Sequence, residues 1–282
     1  MKDRRLTTSS PENPVPVKFS SNRSVLLSIV ATFSVVGLAL PEIAPAQQTS
    51  LPDAPGSHTS EGRPTTVRGV PLDILRDELH IVTSPARIRK RDLGYLLPIT
   101  GAAIAGLLTD EHTMTQVVSQ NPSFNTANVN TSNALVGSMM AAPVLLFGVG
   151  EFARKPYARD SGIIASEAMA DGWLTIEASK LIFLRERPYV DNGRGKFFQL
   201  DAGAGSSFAS GHSVVAWSAA AALADRYPKV WVQASVYTIA TGVSLTRVLG
   251  QQHFPTDVLV GGAAGWLIGH YVSRSHRRHQ RP

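Results

Sequence analysis

The chain has 282 residues, of which 43% are hydrophobic and only 17% charged, so it is long enough to bury a substantial core. The absence of cysteine excludes disulfides, thiolate metal sites and a cysteine nucleophile. The net charge is +6, but the basic clusters are not interleaved with aromatic residues, so no nucleic-acid partner is expected.

The N-terminal part has the layout of an export signal. Residues 1–24 are polar with several basic residues, and residues 25–40 form an uncharged, mostly apolar run that is shorter than the ~20 residues of a membrane span. Small residues at Ala44 and Ala46 then fit a signal-peptidase site. We therefore predict a signal peptide over residues 1–46 and export to the periplasm or cell envelope. The alternative is an uncleaved anchor.

A linker and a short helix follow. Residues 47–69 are rich in Pro, Ser, Thr and Gly and predict a flexible linker. Pro71 begins an amphipathic helix whose predicted packing face carries four apolar residues. These are Leu72, Leu75, Leu79 and Val82. The remaining chain, residues 70–282, is predicted to be one helical domain.

Six longer stretches come after residue 92, and none of them alternates like a strand. They cover residues 93–108, 134–150, 161–184, 213–224, 230–248 and 258–272. Five are strongly apolar, and residues 161–184 are amphipathic. Ala and Gly dominate several of them, which permits close helix packing. The predicted fold is all-α, a six-helix bundle preceded by the signal peptide and the flexible linker.

The relation of this bundle to a membrane is ambiguous in the sequence. The basic clusters would all fall on one side of a six-span bundle, which places the linker in the cytoplasm. A cleaved signal peptide places the same linker outside. A soluble or surface-bound periplasmic bundle removes this conflict and is our preferred interpretation. A membrane-embedded bundle is the alternative.

The first of three chemical motifs ends the amphipathic stretch. Lys180 and Arg187 are seven residues apart, so they share one helix face, and Pro188 follows. Two cations near a helix C-terminus are favoured by the helix dipole, which is one explanation. The other is that they clamp an oxyanion.

The second motif directly precedes an apolar helix. In Ser210-Gly211-His212, the glycine permits close approach of a ligand, and the free N–H groups at the helix start suit a phosphate. His212 is placed to give a proton to a leaving group. The alternative is an ordinary serine cap beside a chance histidine.

The third motif spans residues 246–257. Pro255 fits the first turn of a helix, with Asp257 in the same turn. A carboxylate four residues after His253 can hold the imidazole in one tautomer and leave its other nitrogen free to attack. A helix start with a favourable acid is the alternative.

Together the three motifs resemble those of the type-2 phosphatidic-acid phosphatase and vanadium haloperoxidase superfamily, whose pattern is K-x6-RP, PSGH and SR-x5-H-x3-D. The first motif is complete here. Ala209 stands for the family's proline in the second, and Thr246 stands for its serine in the third. The resemblance covers residues 161–272, the motif-bearing core.

The resemblance implies a site and a mechanism. His253 would attack phosphorus, Asp257 would orient it, and His212 would protonate the leaving oxygen and then activate water. The phosphate oxygens would be bound by Lys180, Arg187, Ser210, Gly211 and Arg247. No metal and no other cofactor is expected, because cations and backbone dipoles supply the charge stabilisation.

The expected activity is a metal-independent phosphatase that hydrolyses phosphate monoesters or pyrophosphates through a phosphohistidine. The substrate would be a lipid or a small phosphorylated molecule, and a membrane surface is a further expected partner. Two alternatives are a haloperoxidase with vanadate as cofactor and a non-catalytic envelope phosphate-binding protein. Asp110-Glu111-His112 resembles a metal cluster, but its place between apolar segments favours a solvated loop.

Overall fold

The computed structural model describes residues 63–202 and 205–277. The predicted signal peptide and linker residues 47–62 lie outside this range, so both stay predictions. Residues 63–69 are irregular and contact the helices. Arg63 pairs with Asp77 at 2.6 Å, and the Thr65 hydroxyl lies 3.2 Å from Nδ1 of His276.

Within the described residues the chain is all-helical, with seven α-helices and no strand. The helices are α1 Val70–Val82, α2 Leu93–His112, α3 Pro122–Phe152, α4 Pro156–Phe183, α5 Gly211–Arg226, α6 Val230–Leu249 and α7 Pro255–Arg277. Short 3₁₀ turns lie at Ser84–Arg87, Lys90–Asp92 and Asp191–Gly193, and a π-helical turn at Thr113–Val117. The predicted count of six omitted α1, which packs against α4 as part of the bundle.

Helix α3 is longer than the apolar stretch that predicted it. It begins at Pro122, because the Asn121 side chain accepts hydrogen bonds from the backbone N–H groups of Ser123 and Phe124. Its first three turns are polar, so hydrophobicity alone placed the start at residue 134. The added turns carry Asn133 into contact with His212.

Helix α5 is the centre of the bundle and contacts α3, α4, α6 and α7. Its run of buried alanines keeps the surrounding helices close. On α7, a Cβ added to Gly265 would lie 2.4 Å from the Val214 carbonyl oxygen, and one added to Gly269 would lie 2.4 Å from that of Ser218. Glycine is therefore required where α7 crosses α5, and this crossing sets the position of the third motif against the second.

Helix α1 is oriented opposite to the sequence prediction. Its apolar residues face outward, with Leu79 62% and Val82 74% exposed, whereas Asp73 and Asp77 are buried against the bundle. The apolar residues were predicted to face the bundle. The carboxylates face it instead, because cationic partners are available for them: Arg63 for Asp77 and Arg76 for Asp73. The apolar face is thus free of the bundle, and the acidic face holds α1 in place.

Two segments of the described chain are long and apolar enough to cross a membrane. They are Lys90–Val117, which contains α2, and Pro122–Phe152, which is α3. The most apolar part of the first is not buried at all, and that of the second is only 22% buried. Their exposure distinguishes these helices from the alanine-rich core helix α5 and favours membrane association.

Candidate active site

The three motifs meet where α4 ends, α5 begins, α6 ends and α7 begins. The strongest sign of their proximity is electrostatic. Burial lowers the pKa of His212 to about 3, and electrostatic interactions with four basic groups add to the effect. These groups are Arg247, His253, Lys180 and Arg187. The fold therefore gathers five of the residues singled out by sequence into one electropositive site.

The tautomer of His253 is fixed by the backbone. Its ring is only 2% exposed, and Nδ1 lies 2.8 Å from the carbonyl oxygen of Ser207. A carbonyl only accepts hydrogen bonds, so Nδ1 carries the proton and Nε2 keeps its lone pair. Burial lowers the pKa of His253 to about 4 against the opposing effect of Asp257, so the ring is neutral at neutral pH.

Asp257 has a different arrangement from the one predicted. Its Oδ2 lies 3.7 Å from Nδ1 of His253, too far for a good hydrogen bond. The same oxygen accepts the Ser207 hydroxyl and, at 2.9 Å, the backbone N–H of Phe254. Asp257 therefore holds the segment whose carbonyl orients His253. Burial alone would raise the pKa of Asp257, but the interactions with His253 and Arg185 outweigh it and lower the pKa.

Arg185 connects the parts of this region through ion pairs, although it was not among the site residues predicted from the sequence. It is 2% exposed, and its guanidinium donates to Asp257 at 2.6 Å and to Asp110 at 2.8 Å. The ring of Phe254 covers the cation at 3.9 Å. Arg185 is thus a positioning residue that binds Oδ1 of Asp257, while Oδ2 is the oxygen nearer to His253.

The interpretation of Asp110 as part of a solvated loop was wrong. Helix α2 continues to His112, which turns Asp110 into the bundle, where it is 1% exposed. Its carboxylate accepts the Thr256 hydroxyl at 2.6 Å and the Thr256 N–H at 3.2 Å. Glu111 and His112 are exposed, as expected. Asp110 therefore caps the start of α7 and pairs with Arg185.

Replacing Arg185 with leucine is expected to destabilise the fold by about 3–5 kcal/mol, because two buried carboxylates lose their shared cation. Chemical denaturation followed by circular dichroism measures the change. The matched control is Arg194→Leu, which removes an exposed arginine in the same loop and should change stability by less than about 1 kcal/mol. Equal effects of the two substitutions would contradict the buried network.

The three cations predicted to bind phosphate differ in how far nearby groups neutralise them. Lys180 pairs with Glu177 at 2.6 Å, and Arg187 donates to the backbone oxygens of Gly205 at 2.8 Å and Gln252 at 3.3 Å. Arg247 is only 6% exposed, and its Nε has no hydrogen-bond partner among the described residues. Burial and the charge of Arg187 lower the Arg247 pKa to about 10. A buried arginine with an unused donor suits an oxyanion.

The second motif forms the start of α5. The Ser210 side chain caps the helix by accepting from the Ser213 N–H, and its own N–H donates to the Asp257 carbonyl at 3.0 Å. A Cβ added to Gly211 would lie 3.6 Å from Nζ of Lys180, so the cation sits close to the helix start. This places backbone N–H groups and a lysine at one point, as an anion site requires.

His212 makes a contact that the sequence could not show. Its Nε2 donates to Oδ1 of Asn133 on α3 at 3.1 Å. Asn133 lies in the polar turns that hydrophobicity left outside the predicted helix. Four residues that contact the predicted site residues were not predicted from the sequence: Arg185, Ser207, Asn133 and Glu177. Only Arg185 had a sequence signal, since it lies two residues before Arg187 within the first motif.

Known proteins show matching features. Residues 162–281 match the model of the PAP2 superfamily. Lipid A 1-phosphatase from Porphyromonas gingivalis is 25% identical over 185 residues, which cover 64% of this chain and 38% of that protein. The match thus spans well under half the length of this relative. The crystal structure of the first transmembrane PAP2 type phosphatidylglycerolphosphate phosphatase from Bacillus subtilis matches with a TM-score of 0.46 and 21% identity, covering 76% of this chain and 98% of that one.

Proposed function

Because residues 162–281 match the model of the PAP2 superfamily, we propose that the protein is a phosphatase that removes phosphate from a lipid through a covalent intermediate on His253. The observation that carries this proposal is the convergence of Lys180, Arg187 and Arg247 around two neutral histidines. Three cations against the single carboxylate of Glu177 leave room for the two negative charges of a phosphate monoester.

In the first step, the Nε2 lone pair of His253 attacks phosphorus. A P–N bond forms, the ester P–O bond breaks, and a proton from His212 goes to the leaving oxygen. The cations and the N–H groups at the start of α5 stabilise the charge on the equatorial oxygens. The charge that develops on His253 is balanced by Asp257, which Arg185 and Ser207 hold in place.

In the second step, water replaces the leaving group. Neutral His212 takes a proton from the water, the oxygen attacks phosphorus, and the P–N bond breaks to release inorganic phosphate and free His253. Since positive side chains and backbone dipoles stabilise the transferred group, we propose that neither step requires a metal.

The proposal of a lipid substrate rests on two observations. Two helices of the described chain have the length, composition and exposure to associate with a membrane, which would bring the site to a lipid surface. The relative from Porphyromonas gingivalis carries the name lipid A 1-phosphatase. Phosphatidate, phosphatidylglycerol phosphate, undecaprenyl pyrophosphate and lipid A phosphate are the candidate substrates.

Phosphate release from these four lipids, compared with a soluble aryl phosphate, tests the proposal. We expect the fastest turnover on one of the lipids in detergent micelles. Activity should persist in EDTA and be blocked by vanadate, whose trigonal-bipyramidal form resembles the transition state. The assay is run at a temperature at which circular dichroism shows the EDTA-treated protein to be folded.

Two results would contradict the proposal. One is the loss of activity of the folded protein in EDTA, with recovery on adding a divalent ion. The other is turnover that vanadate leaves unchanged. A preference for the soluble ester would be consistent with a phosphatase but would contradict the proposal of a lipid substrate.

A further inference from the structure

A second polar cluster lies where α1, α4 and α7 meet. It contains four buried carboxylates, Asp73 and Asp77 from α1 and Glu167 and Asp171 from α4. His276 from α7 lies 3.1 Å from Oε1 of Glu167. The cluster is separate from the phosphate site, since Asp171 precedes Lys180 by nine residues on α4, about 13 Å along the helix.

Several oxygens in this cluster lack hydrogen-bond partners within the described part of the chain. Both carboxylate oxygens of Asp171 are in this state, as are Oδ2 of Asp77 and Oε2 of Glu167. All three residues have no exposed surface. Buried carboxylate oxygens without partners are costly, so an array of them indicates a ligand that supplies positive charge.

The local side chains do not supply enough of that charge. Arg63 pairs with Asp77 at 2.6 Å, and the largely exposed Arg76 lies 3.5 Å from Asp73. These two arginines supply only two positive charges against the four carboxylates.

The spacing of the oxygens fits one shared ion. One oxygen each of Asp77, Glu167 and Asp171 lie within 4.8 Å of one another. Ca²⁺ accepts several carboxylate ligands in flexible geometry, whereas Mg²⁺ usually keeps several waters and takes only one or two carboxylates. Nε2 of His276 contacts Oε1 of Glu167 and so orients this carboxylate, as hydrogen-bonding groups outside the ligand set commonly do.

We propose that Asp77, Glu167 and Asp171 form a divalent-cation site, best suited to Ca²⁺, that fastens α1 to α4. The ion has a structural role and takes no part in the phosphate chemistry. It explains why α1 buries its acidic face and leaves its leucines exposed.

Thermal unfolding of the full-length protein tests this site. After EDTA treatment and buffer exchange at pH 7.5, Ca²⁺ is titrated up to about 10 mM and Tm is followed by circular dichroism. We expect Tm to rise by about 5–10 °C at saturation, because the ion binds only the folded state. Mg²⁺ should give a smaller rise at equal concentration, and elemental analysis should find about one Ca²⁺ per chain.

Asp171→Asn should abolish the rise, and Asp201→Asn, which alters an exposed carboxylate elsewhere, should keep it. Glu167→Gln serves as a second variant if Asp171→Asn does not fold. The proposal is overturned if Ca²⁺ leaves the wild-type Tm unchanged, or if a folded variant of Asp171 or Glu167 responds as the wild type does. Because Tm is read without substrate, failure here is distinguishable from failure of the phosphatase proposal.

Discussion

Replacing His253 with alanine is expected to lower phosphate release by at least about a thousandfold, the scale of loss when a covalent nucleophile is removed. His212 is the other neutral imidazole near Lys180, Arg187 and Arg247, but its Nε2 donates to Asn133. The neutral ring, with Nδ1–H donating to Ser207, presents Nε2 in its reactive form. Initial rates on the best lipid substrate measure the loss.

The buried position of His253 requires a second variant, because alanine leaves a cavity and an unpaired Ser207 carbonyl. His253→Asn retains a side-chain N–H donor but has no nucleophilic nitrogen, and it should lose as much activity as His253→Ala. His112→Ala, at an exposed position, is the matched control and should keep the wild-type rate. Retention of more than about a tenth of the rate in either His253 variant would remove it from this role.

The fold was predictable wherever a helix is apolar along its whole length. The stretch 230–248 corresponds closely to α6 at Val230–Leu249, and the stretch 258–272 lies inside α7. Prediction failed where polar residues continue a helix, as in the first turns of α3. It failed again for α1, because the direction in which an amphipathic helix faces depends on whether its charged face finds partners elsewhere in the chain, as Asp77 does in Arg63 and Tyr271.

Of the candidate site, only the residues that belong to a sequence motif were predictable. Six residues with charged or imidazole side chains were named from three short patterns, and the structure places them together. The parts that were missed are contacts between distant segments. Asp110 and Arg185 are 75 residues apart, and Asn133 and His212 are 79 apart, so only the packing of α2 and α3 shows them. The role of Ser207 also depends on a backbone carbonyl, which no residue type reveals.

The second large effect concerns His212, whose protonation state constrains its role. With a pKa of about 3, His212 is neutral in the free protein at neutral pH and has no proton to spare for a leaving group. A bound phosphate dianion changes this, because it opposes the charges of Arg247, Lys180 and Arg187. One opposite charge at about 4 Å contributes about 4 kcal/mol at an effective dielectric constant of 20, or about three pK units. Substrate binding can therefore raise the pKa of His212 into the range where it acts as an acid.

His212→Ala is accordingly expected to slow hydrolysis of an alkyl phosphate by about 10²–10⁴-fold, the usual contribution of a general acid. An activated aryl phosphate should lose less in the phosphorylation step, since its leaving group departs without a proton. Dephosphorylation still needs His212 as base, so phosphohistidine should accumulate with the aryl substrate. Single-turnover rates on both substrates measure the first effect. Labelled enzyme quenched in alkali, where the P–N bond survives, measures the second. Equal losses in the phosphorylation step on the two substrates would contradict the acid role and leave His212 as a residue that positions the start of α5 through Asn133.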